Sequence, residues 1–239
     1  MYRPGLPVRV AVIGVSILYT VLLHLAGLKL DTQFKQVVAL LPAAAGLVLT
    51  AWDLWLWRLP GVHRLNRRPR LHGLWAGELL PTAESQIPAG GDRGPIPAYL
   101  VITQSYWSIA VRQYTGESKS DSRSFFWQRN LGAEVETLSF LYENNPEQKH
   151  QSRSPRHLGT CSLDSTRRVP NEMTGVYFTD RYTKGDMSMK LVDRSTGHSS
   201  FKAAQEHQPK RQWWTQKAKV SMSTTPPVAE RDGDCPGLG

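Results

Sequence analysis

Two long apolar segments near the N-terminus constrain the fold more than any other feature of the sequence. Val10–Leu28 and Val37–Trp57 each have about the 20 residues that a helix needs to cross the hydrocarbon core of a bilayer. Only eight residues, Lys29–Gln36, separate the two segments, which leaves room for a turn. The sequence therefore predicts a two-helix transmembrane hairpin over residues 10–57, followed by a polar remainder of different character.

Basic residues predict how this hairpin is oriented. Two arginines lie in the N-terminal segment, residues 1–9, and five lie in residues 58–70, which we call the basic linker. The positive-inside rule then puts both chain ends in the cytoplasm. The arginines of the linker also predict attraction to anionic membrane lipid. Asp53, near the end of the second segment, is expected to reach the membrane interface beside Trp52.

From Leu71 onward the hydrophobic pattern changes to a period of two, which is typical of β-strands. Stretches rich in Gly, Asn, Asp and Pro separate the strand-like segments, among them Asn144-Asn145-Pro146. The predicted strands are Leu71–Leu80, Pro97–Gln104, Trp107–Tyr114, Ser118–Gln128, Ala133–Tyr142, His157–Ser165, Met173–Asp180 and Gly185–Val192.

Eight consecutive strands without intervening helices favour an up-and-down antiparallel sheet, and closing that sheet removes its exposed edges. The sequence predicts an all-β, eight-stranded antiparallel up-and-down β-barrel over residues 71–193 in the cytosol, with a β-sandwich as the alternative. An eight-stranded barrel has an interior that is filled or just wide enough for one small ligand. Residues 194–239 are rich in Ser, Lys, Gln and Pro and are predicted to form a disordered basic tail.

Composition and motifs restrict the functional classes. The net charge is +9, but no nucleic-acid-binding motif accompanies it, so we expect no nucleic-acid polymer as partner. No catalytic, phosphate-cradling or metal-ligand spacing is present, which predicts a protein that is not an enzyme and needs no metal or cofactor. Cys161 and Cys235 form no disulfide framework and agree with a reducing compartment.

A polar and aromatic set in strands five to eight is the candidate ligand site. Tyr142 and Asn145 end strand five and His157 opens strand six, so an up-and-down barrel places all three at one rim. On the seventh predicted strand, Tyr177, Thr179 and Arg181 alternate onto one face. Aromatic rings and a guanidinium suit a ligand with bases to stack and a phosphate to pair. The competing interpretation makes both tyrosines core residues and Arg181 a solvated turn residue.

Trp75 in the first strand completes the list of ligand-binding candidates. It is also expected to plug the barrel floor, with Gly73 permitting close packing. Gly73-Leu74-Trp75 is superficially similar to the Gly-x-Trp start of lipocalins. One alternative function is therefore a membrane-tethered, lipocalin-like binding or sensor protein for an apolar small molecule, without membrane-disrupting activity. A scaffold that recruits a partner through its basic tail is another.

The order of four motifs after the hairpin resembles the two-transmembrane, β-strand-rich effector family of CBASS antiphage systems, over roughly residues 10–192. The resemblance implies a barrel that binds a cyclic dinucleotide made by a cognate CD-NTase upon phage infection. Binding would promote homo-oligomerisation and disruption of the inner (cytoplasmic) membrane by the hairpin, leading to abortive infection. The motifs are Leu71-His72-Gly73-Leu74-Trp75-Ala76-Gly77, Tyr142-Glu143-Asn144-Asn145-Pro146, His157-Leu158-Gly159-Thr160, and the stretch from Gly175 to Gly185.

Overall fold

The chain begins with a pair of helices. The computed structural model describes residues 5–25, 32–59, 62, 68–129 and 135–207. Helix α1 spans Gly5–Leu25 and helix α2 spans Thr32–Leu54, followed by a 3-10 turn at Leu56–Arg58. The Ser16 hydroxyl of α1 donates a hydrogen bond of 3.0 Å to the Pro42 carbonyl of α2, so the two helices contact each other.

The membrane crossing predicted for both helices is not supported by their described residues. Over the part of the chain that the structure describes, no helix is long and apolar enough to cross a membrane.

Eight antiparallel strands form a closed barrel in which each strand pairs with the next and β8 pairs with β1. The predicted up-and-down barrel is confirmed, and the sandwich alternative is wrong. The strands are β1 Gly73–Pro81, β2 Ile96–Gln104, β3 Ile109–Thr115, β4 Ser118–Arg129, β5 Glu136–Pro146, β6 His157–Ser165, β7 Glu172–Thr179 and β8 Lys184–Asp193.

The barrel has two unlike ends. We call the end where β1 begins and β2 finishes the floor, and the opposite end the mouth. Alternation along the strands places apolar side chains inside, including Leu138 and Phe140 of β5 and Met189 of β8. Trp75 is fully buried in this core, and its indole Nε1 donates a hydrogen bond of 2.8 Å to the Leu71 carbonyl. The prediction that Trp75 plugs the floor therefore agrees with its position.

Helix α2 ends against the floor. Asp53 is fully buried, its main-chain carbonyl accepts from the Tyr106 amide at 2.9 Å, and its carboxylate Oδ1 accepts from the Trp107 amide at 3.1 Å. The Trp52 ring packs edge-on against Tyr106 with the ring centroids 5.6 Å apart. The prediction that Asp53 reaches the membrane interface is wrong, because its buried carboxylate satisfies the Trp107 amide of the β2–β3 turn.

Two arginines of the basic linker also bind the end of β2 and the β2–β3 turn. The Arg58 guanidinium donates to the Gln104 carbonyl, and the Arg68 guanidinium donates to the Tyr106 carbonyl. The Arg68 guanidinium carbon also lies 4.8 Å from the centroid of the Tyr106 ring. Residues 60, 61 and 63–67 of the linker lie outside the described residues.

Strand β5 is longer than the sequence predicted at its C-terminal end. Asn144-Asn145-Pro146 was predicted as a turn, but Asn144 pairs with Ser120 of β4 and with His157 of β6. Because both neighbouring strands extend to the mouth, they hold this turn-prone stretch in an extended conformation. Ala133, the first residue of the predicted strand, lies outside the described residues.

Residues 194–207, which we call the C-terminal strap, are structured. The Arg194 guanidinium donates to the carbonyls of Arg70 at 2.8 Å and His72 at 2.9 Å. Helix α3, Phe201–His207, follows, and the Phe201 ring packs against Tyr99 of β2 with the centroids 5.2 Å apart. The prediction of disorder is wrong for the strap, because its polar composition does not reveal this barrel contact. Residues 208–239 of the predicted tail lie outside the described residues.

Candidate functional site

A cavity of about 530 Å³ opens at the mouth of the barrel. Its volume is within the range of about 300–1,000 Å³ that is usual for small-molecule sites. Strand ends and connecting loops from around the mouth form its wall. The lining combines tyrosines, amides, hydroxyls and two arginines with a few apolar residues such as Leu79, Ile96 and Phe201.

Five of the seven residues predicted to bind a ligand line this cavity, namely Tyr142, His157, Tyr177, Thr179 and Arg181. The strand register explains why they meet. Tyr142 of β5 pairs with Gly159 of β6, and Gly159 pairs in turn with Thr179 of β7. The predicted meeting of the end of strand five with the start of strand six therefore agrees with the observed register.

Trp75 and Asn145 do not line the cavity. Trp75 lies in the core toward the floor, with its indole bonded to Leu71. Asn145 is exposed on the outer wall, whereas Asn144 is buried and lines the cavity. The physical reason is strand alternation, which puts Asn144 and not Asn145 on the same face as Tyr142.

The Tyr142 ring lies directly over Gly159. A Cβ atom at Gly159 would come within 2.3 Å of Tyr142 Cζ and 2.4 Å of its hydroxyl oxygen, so the ring occupies the space above the glycine. Burial, together with Tyr177, raises the pKa of Tyr142 well above its usual value. Burial also raises the pKa of Tyr177 to about 12. Both phenols therefore keep their protons at neutral pH and present uncharged rings to the cavity.

Arg181 and Arg153 differ in how their charges are compensated. The Arg153 guanidinium donates to the Glu117 carboxylate at 2.6 Å and to the Gly90 carbonyl at 2.5 Å. The Arg181 guanidinium donates to the Ser154 hydroxyl at 2.6 Å, and among the described residues no carboxylate lies within ion-pair distance of it. The positive charge of Arg181 is therefore available to an anionic ligand.

His157 is held neutral beside Arg181. Its Nδ1 lies 2.9 Å from the Pro155 carbonyl, which can only accept, so this nitrogen donates. Burial lowers the pKa of His157; the bond to Pro155 opposes that shift, and the nearby Arg181 adds to it. Arg181 lowers the pKa of His157, whereas a phosphate placed between the two side chains would raise that pKa and favour the charged imidazole.

Sequence reasoning missed the amides and hydroxyls that complete the cavity. Gln113 is only 7% exposed, and its side-chain oxygen has no hydrogen-bond partner in the described part of the chain. The Thr183 hydroxyl oxygen is also buried and has no hydrogen-bond partner among the described residues. Buried polar atoms without partners are rare in proteins and suit a ligand that brings its own donors. Gln113 follows Ile109 and Val111 at inward positions of β3, so a polar residue in an apolar register was the available signal.

These groups define a class of protein, a small closed β-barrel with a mouth cavity whose aromatic rings and guanidinium groups are suited to an anionic ligand bearing aromatic rings. Residues 67–191, which are 125 of the 239 residues, match the family model described as Cap15, cyclic dinucleotide receptor domain. The chain belongs to this family, and the predicted resemblance to CBASS effectors is thereby confirmed. The family description names a binding role and not a catalytic one. No curated protein matches the chain at a significant level.

The contact between Gly159 and Tyr142 predicts a strong coupling between these two residues. Gly159→Ala should destabilise the protein by about 1–3 kcal/mol, because the new Cβ overlaps the Tyr142 ring. In a Tyr142→Leu background the same change should cost much less, since the atoms that it meets are gone. Chemical denaturation of the four variants measures the coupling energy. Gly116→Ala is the matched control, because a Cβ there meets nothing within 4 Å. An equal cost in both backgrounds would contradict the contact.

Proposed function

We propose that the barrel is the receptor domain of a CBASS effector and that it binds a cyclic dinucleotide in the mouth cavity. The observation that carries this proposal is the combination, in one cavity, of two neutral tyrosine rings with an arginine that has no carboxylate partner in the described part of the chain. A cyclic dinucleotide carries two bases and two phosphates, which are the groups that rings and guanidinium recognise. The ligand would come from a cognate CD-NTase.

Each part of the ligand has a suitable partner in the cavity. Arg181, with His157 beside it and the Thr179 hydroxyl nearby, is suited to a phosphate. Tyr142 and Tyr177 offer ring faces to the bases. The unpartnered Gln113 oxygen and the Asn144 amide are suited to hydrogen bonds with base edges. The charged and hydrogen-bonding groups of this set favour an anionic ligand over the apolar ligand of the lipocalin-like alternative, although apolar residues such as Leu79, Ile96 and Phe201 also line the cavity.

The output of binding would come from the helical hairpin at the inner membrane. Large apolar side chains on both helices point away from the protein, and Leu25 of α1 and Leu47 of α2 are each more than 70% exposed. Such helices lower their free energy by contact with lipid. We propose a multi-pass protein of the inner membrane, with both termini and the barrel in the cytoplasm, whose hairpin disrupts that membrane after ligand binding.

Strand β2 provides a direct mechanical path between the cavity and the hairpin. It begins at the mouth with Ile96 and Pro97, which line the cavity. It ends at the floor with Gln104, and the turn that follows holds Asp53 of α2 through two amides. A ligand that shifts the mouth end of β2 would therefore change the contact on which α2 depends.

Homo-oligomerisation has a candidate surface on the outer wall of β5, β6 and β7. Leu141 of β5 and Phe178 of β7 flank Thr160 of β6 on this wall, and Val176 lies next to them. Phe178 is 51% exposed and Val176 is 47% exposed. A contiguous exposed apolar patch on a soluble domain marks an interaction site. We propose that a second copy of the chain covers it in the ligand-bound state.

Arg181→Ala tests the proposed receptor site. The variant should bind a cyclic dinucleotide roughly tenfold or more weakly, because a charge-assisted hydrogen bond contributes about 1.5–3 kcal/mol. Isothermal titration calorimetry of the purified full chain against a panel of cyclic dinucleotides measures this loss. Arg123→Ala is the control, since Arg123 pairs with Glu143 on the outer wall. Unchanged affinity in Arg181→Ala would exclude the site, and no binding of any panel member to the wild type would exclude the receptor function.

The Asp53→Ala variant tests whether ligand binding and membrane disruption can be separated. We expect unchanged affinity for the ligand, because Asp53 lies at the floor, and reduced membrane depolarisation, because the side-chain bond between α2 and the Trp107 amide of the β2–β3 turn is removed. Calorimetry measures the ligand affinity. A potential-sensitive dye measures the membrane depolarisation in cells that express the CD-NTase. Asp164→Ala, which removes an exposed carboxylate of β6, serves as the control. Depolarisation at the wild-type level in Asp53→Ala would rule out this coupling.

Phe178→Asp tests the proposed oligomer surface. In sedimentation velocity the ligand should shift the wild-type chain to a larger species but leave the variant unshifted, because a buried carboxylate without a partner opposes association. Ligand affinity should be retained, since Phe178 points outward. Gln86→Asp, which places the same charge in an exposed loop, is the control. The proposal fails if the variant assembles like the wild type.

A further inference from the structure

We propose that Asp193, His198 and His207 form a site for a divalent transition-metal ion of the zinc class, and that the ion fastens the C-terminal strap to the barrel. The site lies outside residues 67–191, to which the family description applies. It is also separate from the proposed ligand cavity, which none of the three residues lines.

The three side chains converge on one point beside the end of β8. Each offers one ligand atom, and these atoms all lie within 4.8 Å of one another. The two imidazole rings have centroids 4.6 Å apart, and His207 Nε2 contacts Asp193 Oδ2. The spacings of five and nine residues match no common metal-ligand pattern, so the sequence predicted no metal. Helix α3 brings His207 back to the end of β8, where Asp193 lies.

Two further observations point to a missing partner at this site. His198 Nε2 is buried and has no hydrogen-bond partner among the described residues. Leaving a buried polar atom unsatisfied is costly, and coordination of an ion would satisfy it. The ligands are also oriented by their neighbours. Asp193 Oδ1 accepts from the Ser195 amide at 2.6 Å, and the His198 carbonyl accepts from the Tyr114 hydroxyl at 3.3 Å. Such outer contacts are usual around metal ligands.

The donor set selects the class of ion. Two imidazoles and one carboxylate suit Zn²⁺ and similar divalent transition-metal ions, which accept three protein ligands and keep a further position for water. Calcium and magnesium prefer oxygen donors throughout and fit less well. The His207 side chain is 46% exposed, so an ion can reach the site from solvent.

The location of the site gives the ion a structural role. Asp193 ends β8, whereas His198 and His207 lie on either side of Phe201 in the strap. An ion bound by all three residues would close a loop that holds Phe201 against Tyr99. Because Phe201 also lines the mouth cavity, the same ion would fix one part of the cavity wall.

Metal titration of the full chain tests the site. After removal of metal by a chelator, the protein should bind one Zn²⁺ per chain, and Co²⁺ should give the visible d–d absorption of a low-coordinate site. His198→Ala and His207→Ala should each weaken binding by roughly tenfold or more. Glu206→Gln is the matched control, since it neutralises the carboxylate beside His207 in α3 without removing a proposed ligand. Absence of stoichiometric binding, or full retention of it when both histidines are replaced, would overturn the proposal.

Limited trypsin digestion tests the role of the ion independently of affinity. Lys202 lies in α3 with its side chain 85% exposed, so cleavage after it reports opening of the strap. Zn²⁺ should slow this cleavage in the wild type and in Glu206→Gln but not in His198→Ala. Equal protection in all three proteins, or no protection in any, would show that the site does not fasten the strap.

Discussion

The structure depends on the closure of the sheet between β1 and β8. The two strands come from opposite ends of the barrel sequence and pair along their length from Trp75–Leu191 to Pro81–Gly185. Two glycines permit this approach, since a Cβ at Gly77 would lie 1.9 Å from the Ser188 carbonyl oxygen and one at Gly185 would lie 2.3 Å from the Leu80 carbonyl oxygen. Closure removes the free edges and converts an alternating sheet into a tube with a single interior.

The tube is polar at one end and apolar at the other, and this gradient assigns a role to each end. Toward the floor the interior is filled by residues such as Trp75 and Leu163, which are fully buried. Toward the mouth the inward positions carry Gln113, Asn144 and Tyr177, which leave a cavity. The floor instead receives α2, through the buried Asp53 and the arginines of the linker. The mouth cavity and the hairpin thus lie at opposite ends of the same strands.

Much of the candidate site was predictable because strands relate sequence to space in a simple way. Tyr177 and Thr179 share a face of β7 through alternation, and Tyr142 meets His157 through the order of strands. Arg181 also lines the cavity, but it lies in the turn after β7 and not on the strand as predicted. The errors have equally simple causes. Asn145 was assigned to the face of Tyr142 although an odd spacing separates them, and Trp75 was grouped with residues of the opposite end. Gln113 was missed because a polar residue on a strand becomes informative only when its face is known to be inward. Thr183 lies in the turn before β8, where alternation gives no signal.

The sequence by itself determined the two apolar helices, the eight strands, their up-and-down order and the side chains that share a strand face, because these follow from periodicity and chain order. Tertiary structure alone decided the burial of Asp53, the extension of β5 through Asn144, the ordering of the strap and the convergence of Asp193, His198 and His207. Each of these depends on contacts between elements that strand periodicity does not relate. Local composition predicts solvation for such polar residues, and only the packed neighbours show which of them acquire buried partners.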